Sequence, residues 1–162
     1  MKLHWSNATY VLVTLAMKIG PLDTDGLDLH YTVGDNHNLR DVRGWSIRKT
    51  FRHSMEAAGG RITEMNKANM KETLEKIFDR YIETDCRKKM TLIILTDGLW
   101  EGCANEDDVE KLIETFLNNL KQQKTRLKKL ESRWFSIQFI SFGDDARALN
   151  RLRRLDDDMN TK

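Results

Sequence analysis

The sequence predicts an α/β domain with helices packed against a mostly parallel sheet. Three observations lead there. Met90 to Gly98 (MTLIILTDG) carries Met90, Leu92, Ile93, Ile94 and Leu95 with almost no polar interruption, the pattern of a strand buried on both faces. Trp134 to Phe142 (WFSIQFISF) is rich in aromatic and β-branched residues and reads as a second strand. Around these runs apolar residues recur at helical spacing, and strand and helix patterns in alternation belong to α/β layering.

Taken in order, Ser6 to Ile19 reads as a helix with Tyr10, Val11, Leu12, Leu15, Ala16 and Ile19 as its apolar surface. Ser6 or Asn7 is suited to cap its start, and Gly20-Pro21 ends it. Leu22 to Gly26 (LDTDG) is a turn. Its Asp-x-Asp-Gly spacing lacks the further acids of a calcium-binding helix-loop-helix, so a plain turn is expected. Leu27 to Val33 alternates Leu27, Leu29, Tyr31 and Val33, a strand pattern, and Gly34 to Asn38 is a loop. Gly44-Trp45-Ser46 opens a second helix, whose Ile47, Phe51, Met55 and Ala58 share one face and which Gly59-Gly60 stops. Arg61 to Asn69 is polar and poorly periodic, a loop or an irregular helix start. From Met70 a third helix carries Met70, Leu74, Ile77, Phe78, Tyr81 and Ile82 in one stripe.

After the Met90 strand, Leu99 to Asn105 forms a surface loop. Asn105 caps a long helix, with Glu106, Asp107 and Asp108 in its first turn, where carboxylates favour the helix dipole. Val109, Leu112, Ile113, Phe116, Leu117 and Leu120 are its apolar face. The basic run Lys121 to Lys129 follows as a solvated helix face. After the Trp134 strand, Gly143-Asp144-Asp145 caps a short final helix with Ala146, Leu149 and Leu152 inward, and Leu155 to Met159 is an acidic tail. The order is helix, strand, helix, helix, strand, helix, strand, helix.

The length of 162 residues suits one domain, 1–162. Apolar residues make up 40% of the chain, enough for a packed core. The 27 Lys and Arg nearly cancel the 25 Asp and Glu, leaving +2, so net charge gives no case for nucleic acid or a membrane surface. Cys86 and Cys103 form no metal-ligand pattern; two reduced thiols are expected rather than a disulfide. Before the apolar stretch Tyr10 to Met17 the basic region is a single Lys, and no small-residue cleavage pattern follows, so a buried helix is expected rather than a signal peptide. These features predict a cytoplasmic or other intracellular location. Asn7-Ala8-Thr9 is a glycosylation sequon only in the secretory pathway.

Four enzyme templates are missing. No G-x-x-x-x-G-K-[ST] cradles phosphates, no G-x-G-x-x-G follows a strand, no G-x-S-x-G elbow is present, and no Cys has a His placed by a known motif. What stands out is Thr96-Asp97-Gly98 at the end of a buried strand. In open α/β sheets ligands bind outside the carboxyl ends of the strands. Asp97 there is either a ligand group or the first residue of a turn or cap.

The run TLIILTDGLWEG, the long helix after it, SIQFISFGDDARALNRLRRLDDDM and the upstream GLDLHYTV together resemble a von Willebrand factor type A domain, of the kind found among fungal proteins. The resemblance covers nearly the whole chain. It implies a Rossmann-like fold and a divalent cation, usually magnesium, at the carboxyl edge of the sheet. The family's ligands are a D-x-S-x-S motif after the first strand, a Thr from a middle loop and the Asp of T-D-G. An acidic residue of a protein partner typically completes the shell. Carried over, Asp97 matches the T-D-G ligand and Thr63 the middle-loop Thr, with Thr73 as runner-up. No Asp here has Ser at both following spacings, so D-x-S-x-S is absent. The family's opening strand has no counterpart either, and the resemblance therefore implies a domain incomplete at its N-terminus. One carboxylate and one hydroxyl are too few for an ion that dehydrates reluctantly, so weak magnesium binding or none is expected.

These readings predict a non-enzymatic protein-interaction module with an incomplete divalent-metal site and a protein partner, without nucleic acid or membrane. One alternative is a magnesium-dependent adhesion or assembly module whose missing ligands lie upstream. Another is an α/β hydrolase using Asp97 with His30 or His37. Trp100 and Glu101 invite a partner-anchoring role, against the expectation that Trp100 folds back onto a neighbouring helix. Asp156-Asp157-Asp158 is expected to be solvated rather than cation-binding.

Overall fold

The computed structural model describes residues 1–33, 38–60, 67–84, 88–105, 107–127 and 135–160, and all of their side chains except those of 123–127 and 156–160. Thr63, His37, Cys86, Glu106 and Trp134, and the side chains of Asp156, Asp157 and Asp158, therefore lie outside the described residues. The protein is a mixed α/β chain that divides into two compact units, Met1–Lys67 and Ala68–Lys162.

In the first unit, a short 3-10 turn, Lys2–His4, leads into α1 (Trp5–Ile19). The helix begins at Trp5, and His4 holds the cap position without a side-chain bond. The cap expected from Ser6 or Asn7 is not used. Trp5 instead anchors this end, its indole N–H donating to the Met55 carbonyl at 3.0 Å. Gly20 closes the helix as expected, where a Cβ would collide with Ile47. The LDTDG segment is a plain turn, in which Asp23 Oδ1 accepts from the Asp25 amide at 2.9 Å.

The strand expected over Leu27–Val33 is shorter and pairs differently. β1 (Leu27–Leu29) forms an antiparallel ladder with β2 (Leu39–Val42), a strand the periodicity did not signal. The register shifts between Leu27 and Leu29. Asp41 sits opposite at φ 51°, in the left-handed region, and its amide donates to Asp28 Oδ1 at 2.8 Å; a short polar side chain tolerates that conformation. Beyond Leu29 the chain leaves the ladder. The Tyr31 amide bonds the Asn38 side chain and the Tyr31 hydroxyl meets buried Ser54 at 2.9 Å. Alternation thus continued past the point where backbone pairing stopped. α2 (Ile47–Gly59), entered through a 3-10 turn at Gly44–Ser46, buries Ile47, Phe51, Met55 and Ala58 as expected.

In the second unit, α3 (Met70–Glu83) is capped by Asn69, whose Oδ1 accepts from the Glu72 amide while its Nδ2 donates to Glu72 Oε2. β3 (Met90–Thr96) and β4 (Phe135–Ser141) pair in parallel without a slip, from Met90 opposite Phe135 to Thr96 opposite Ser141. The mixed α/β character is as expected, but a single mostly parallel sheet is not what the described residues form, since β3–β4 is parallel and β1–β2 antiparallel. Among the described residues β3–β4 is a two-stranded sheet, separate from β1–β2.

α4 (Asp108–Leu127) and α5 (Ala146–Asn160) complete the unit. Met90, Leu92 and Ile94 of β3 pack with Phe135, Ile137 and Phe139 of β4 into the main core, against Phe78, Val109, Ile113 and Phe116. Phe78 and Phe116 stack at 3.9 Å between centroids, with Phe135 edge-on to both. Only one face of β3 is packed this way. Thr91 is exposed, and Ile93 and Leu95 are half-buried. The expectation of burial on both faces is corrected, because Ile93 and Leu95 project away from the side that α3 and α4 cover.

Two expectations for the C-terminal segment change. α5 turns Ala148, Leu152 and Leu155 inward, while Ala146 is exposed. Leu155 to Met159 belongs to the helix rather than to a tail. Among the described residues no helix is long and apolar enough to cross a membrane.

Candidate functional site

The carboxyl end of β3 is where the sequence placed a site. The strand runs out at Thr96, which is 2% exposed. Its hydroxyl oxygen accepts from the Gly98 amide at 2.9 Å and from the Trp100 indole N–H at 3.1 Å. Both lone pairs are thereby used, and the hydroxyl pins the turn rather than serving as an outward-facing ligand. Gly98 follows at φ 73°. A Cβ there would also stand 2.7 Å from Ala148 Cβ, so conformation and close approach to α5 both require glycine.

Asp97 lies between these two residues, half-buried. Its Oδ1 accepts from the Leu99 amide at 3.2 Å, an Asx-type turn. Thus Asp97 does sit at the strand end as expected, and the turn-forming role is realised.

Trp100 is 6% exposed. It lies tilted against Phe139 of β4, and the Arg151 guanidinium of α5 sits over its ring, 5.0 Å from the centroid. The anchoring role for Trp100 is therefore overturned, and the fold-back onto a helix is what occurs. Arg151 Nη1 also donates to the Gly98 carbonyl at 2.8 Å. Behind it stands Glu110 of α4, with Oε1 3.9 Å from Arg151 Nε and 3.9 Å from Arg154 Nη2. Burial pushes the Glu110 carboxyl above the usual range, against the pull of the two arginines. Further along, the Gly102 amide donates to the Ala68 carbonyl at 3.0 Å and the Cys103 amide to the Trp100 carbonyl at 3.0 Å.

The donor set fits a magnesium ion poorly. An octahedral oxygen shell needs several ligands, whereas this turn offers one carboxylate, already in a backbone bond, beside a hydroxyl whose lone pairs are taken. Among the described residues no group of three or more His, Cys, Asp or Glu side chains gathers to hold a metal. Thr63 lies outside the described residues. Thr73, the runner-up, donates its hydroxyl to the Asn69 carbonyl at 3.1 Å in the first turn of α3. His30 has its Nε2 3.9 Å from Asp28 Oδ2 within the first unit, and His37 is outside the described residues.

No family model, curated protein or solved structure matches this chain.

Sequence reasoning missed Arg151 and Glu110. Arg151 lies three residues after Ala148, on the inward side of α5, and that spacing was the available signal. Glu110 directly follows Val109, the first apolar residue of α4, with nothing in the sequence to set it apart. Asp145 was legible. Its Oδ1 accepts from the Arg147 and Ala148 amides at 2.9 and 3.0 Å, and these backbone bonds hold its carboxyl below the usual range.

Proposed function

We propose that the chain is a non-enzymatic protein-interaction module of the von Willebrand factor type A kind, with an incomplete divalent-cation site. The observation that carries this reading is the parallel β3–β4 ladder ending, at its carboxyl edge, in the Thr96-Asp97-Gly98 turn. That is the position from which open α/β sheets present ligand groups. The internal bonding of the turn and the absence of D-x-S-x-S from the sequence favour an incomplete site over a working one.

The test is a thermal melt of the chain with magnesium and with chelator. A ligand that binds the native state raises its stability by mass action. The expected outcome is one cooperative transition at the same temperature in both conditions. An upward shift with magnesium that Asp97→Ala abolishes would overturn the incomplete-site reading and restore cation-dependent adhesion.

A further inference from the structure

The near-zero net charge hides a sorting of charge by face in the first unit. Trp45, in the turn before α2, is fully exposed at 105%. Arg48, Lys49 and Arg52 follow three, four and seven residues later, and all are exposed. On a helix that spacing makes one stripe, about 10 Å long, opposite the buried Ile47, Phe51 and Met55. Exposed Arg40 and Arg43 lie just before it in the chain. Among the described residues none of these five cations has a carboxylate partner.

Nothing in the fold gains from this arrangement. Trp45 buries no surface. The first turn of α2 holds no acidic residue, and Arg48 and Lys49 put positive charge at the helix end where the dipole disfavours it. Gly44, at φ 69°, makes the tight turn that leads into Trp45.

We propose that this stripe docks an acidic segment of a partner protein, with an apolar side chain set against Trp45 and carboxylates on Arg48, Lys49 and Arg52. Charge complementarity selects the partner. Arginine forks match carboxylates in bidentate pairs, and Trp and Arg dominate the energetics of protein interfaces. Exposed Asp41 and Glu56 lie four residues before Trp45 and four after Arg52 in the chain, so the basic stripe is bounded by carboxylates and suits a short acidic segment rather than a continuous polyanion such as a nucleic-acid backbone. The surface belongs to the first unit and does not depend on the cation-site reading.

The test is fluorescence anisotropy on the full chain. The probes are a fluorescein-labelled peptide of Glu and Asp interrupted by single Leu and Phe residues, its Lys/Arg charge-reversed counterpart, and a single-stranded oligouridylate. The acidic peptide is expected to bind and its counterpart not to bind. Trp45→Ala should weaken binding about thirtyfold, the scale of an interface anchor. Joint replacement R48A/R52A should weaken it about tenfold and reduce its salt dependence. Because these side chains are exposed, both variants should melt as the parent does. Trp45→Phe, which keeps the ring, is expected to retain most of the affinity and serves if Trp45→Ala does not fold. Absence of acidic-peptide binding, binding unmoved by these changes, or tighter binding of the oligouridylate would each overturn the proposal.

Discussion

The guanidinium of Arg151 joins three parts of the second unit. It donates to the Gly98 carbonyl, covers the Trp100 ring and faces Glu110 across 3.9 Å. Glu110 is the exposed-to-buried compromise in this group, because burial disfavours its ionised form more than the arginines favour it. A carboxyl whose pKa is higher in the folded than in the unfolded chain binds its proton more tightly when folded. Stability must then fall as pH rises from the unfolded value, about 4.3, through the raised folded value. Glu110→Gln keeps the shape and removes the titration. Its melting temperature is expected to match the parent near pH 4 and to equal or exceed it at pH 7. Thermal melts across that range check this. A variant less stable than the parent at pH 7 alone would show that the pairing with Arg151 and Arg154 outweighs burial.

At the scale of elements, the parts that were legible are those whose burial follows a single helical period. The stripes of α2 and α3 and most of that of α4 lie inside as their spacing predicts, because one apolar face fixes which way such a helix must turn. For α5 two sets of residues had helical spacing. The choice of Ala148, Leu152 and Leu155 is decided by Gly98, whose missing side chain lets Ala148 approach, a contact between residues 50 positions apart that local pattern does not encode. β2 was missed because LRDV carries two charges in four residues and is a strand only through its pairing with β1. Likewise the strand end at Asp97 was legible, whereas the Arg151 bond that holds the turn was not. Caps were legible only in part: Asp145 caps α5 as expected, whereas neither Ser6 nor Asn7 caps α1 and the Asn69 cap of α3 was not anticipated. At the start of α3 Asn69 Oδ1 accepts from the Glu72 amide, the N-cap bond, while Glu72 Oε2 accepts from the Asn69 side-chain amide rather than from its backbone N–H as in a capping box. Asn69→Ala is expected to cost about 1 kcal/mol, measurable as a lower denaturation midpoint in urea with an unchanged slope. A midpoint equal to the parent's would mean that packing of Met70 and Leu74 alone sets this helix end.

For the whole molecule, the two units differ in how much core each has to resist local opening. The second gathers α3, α4, β3, β4 and α5 around one cluster that includes the stacked Phe78 and Phe116, and its parallel ladder holds register over seven residue pairs. Among the described residues the first relies on two smaller clusters, around Phe51 and around Met55, and on a short hairpin whose register shifts. Burying a large apolar side chain contributes roughly 1.5–3 kcal/mol, so the larger cluster raises the free energy that its amides must overcome to exchange by local opening. Protection against exchange follows that local free energy rather than an average over the chain. Hydrogen–deuterium exchange read by mass spectrometry should therefore show the slowest amides in α3, α4 and β3. Those of α1, α2 and β1 should exchange sooner at the same pH and temperature. Equal protection in α2 and α4 would contradict this ranking and would mean that the chain opens as one cooperative whole, with the first unit drawing its stability from more than its own core.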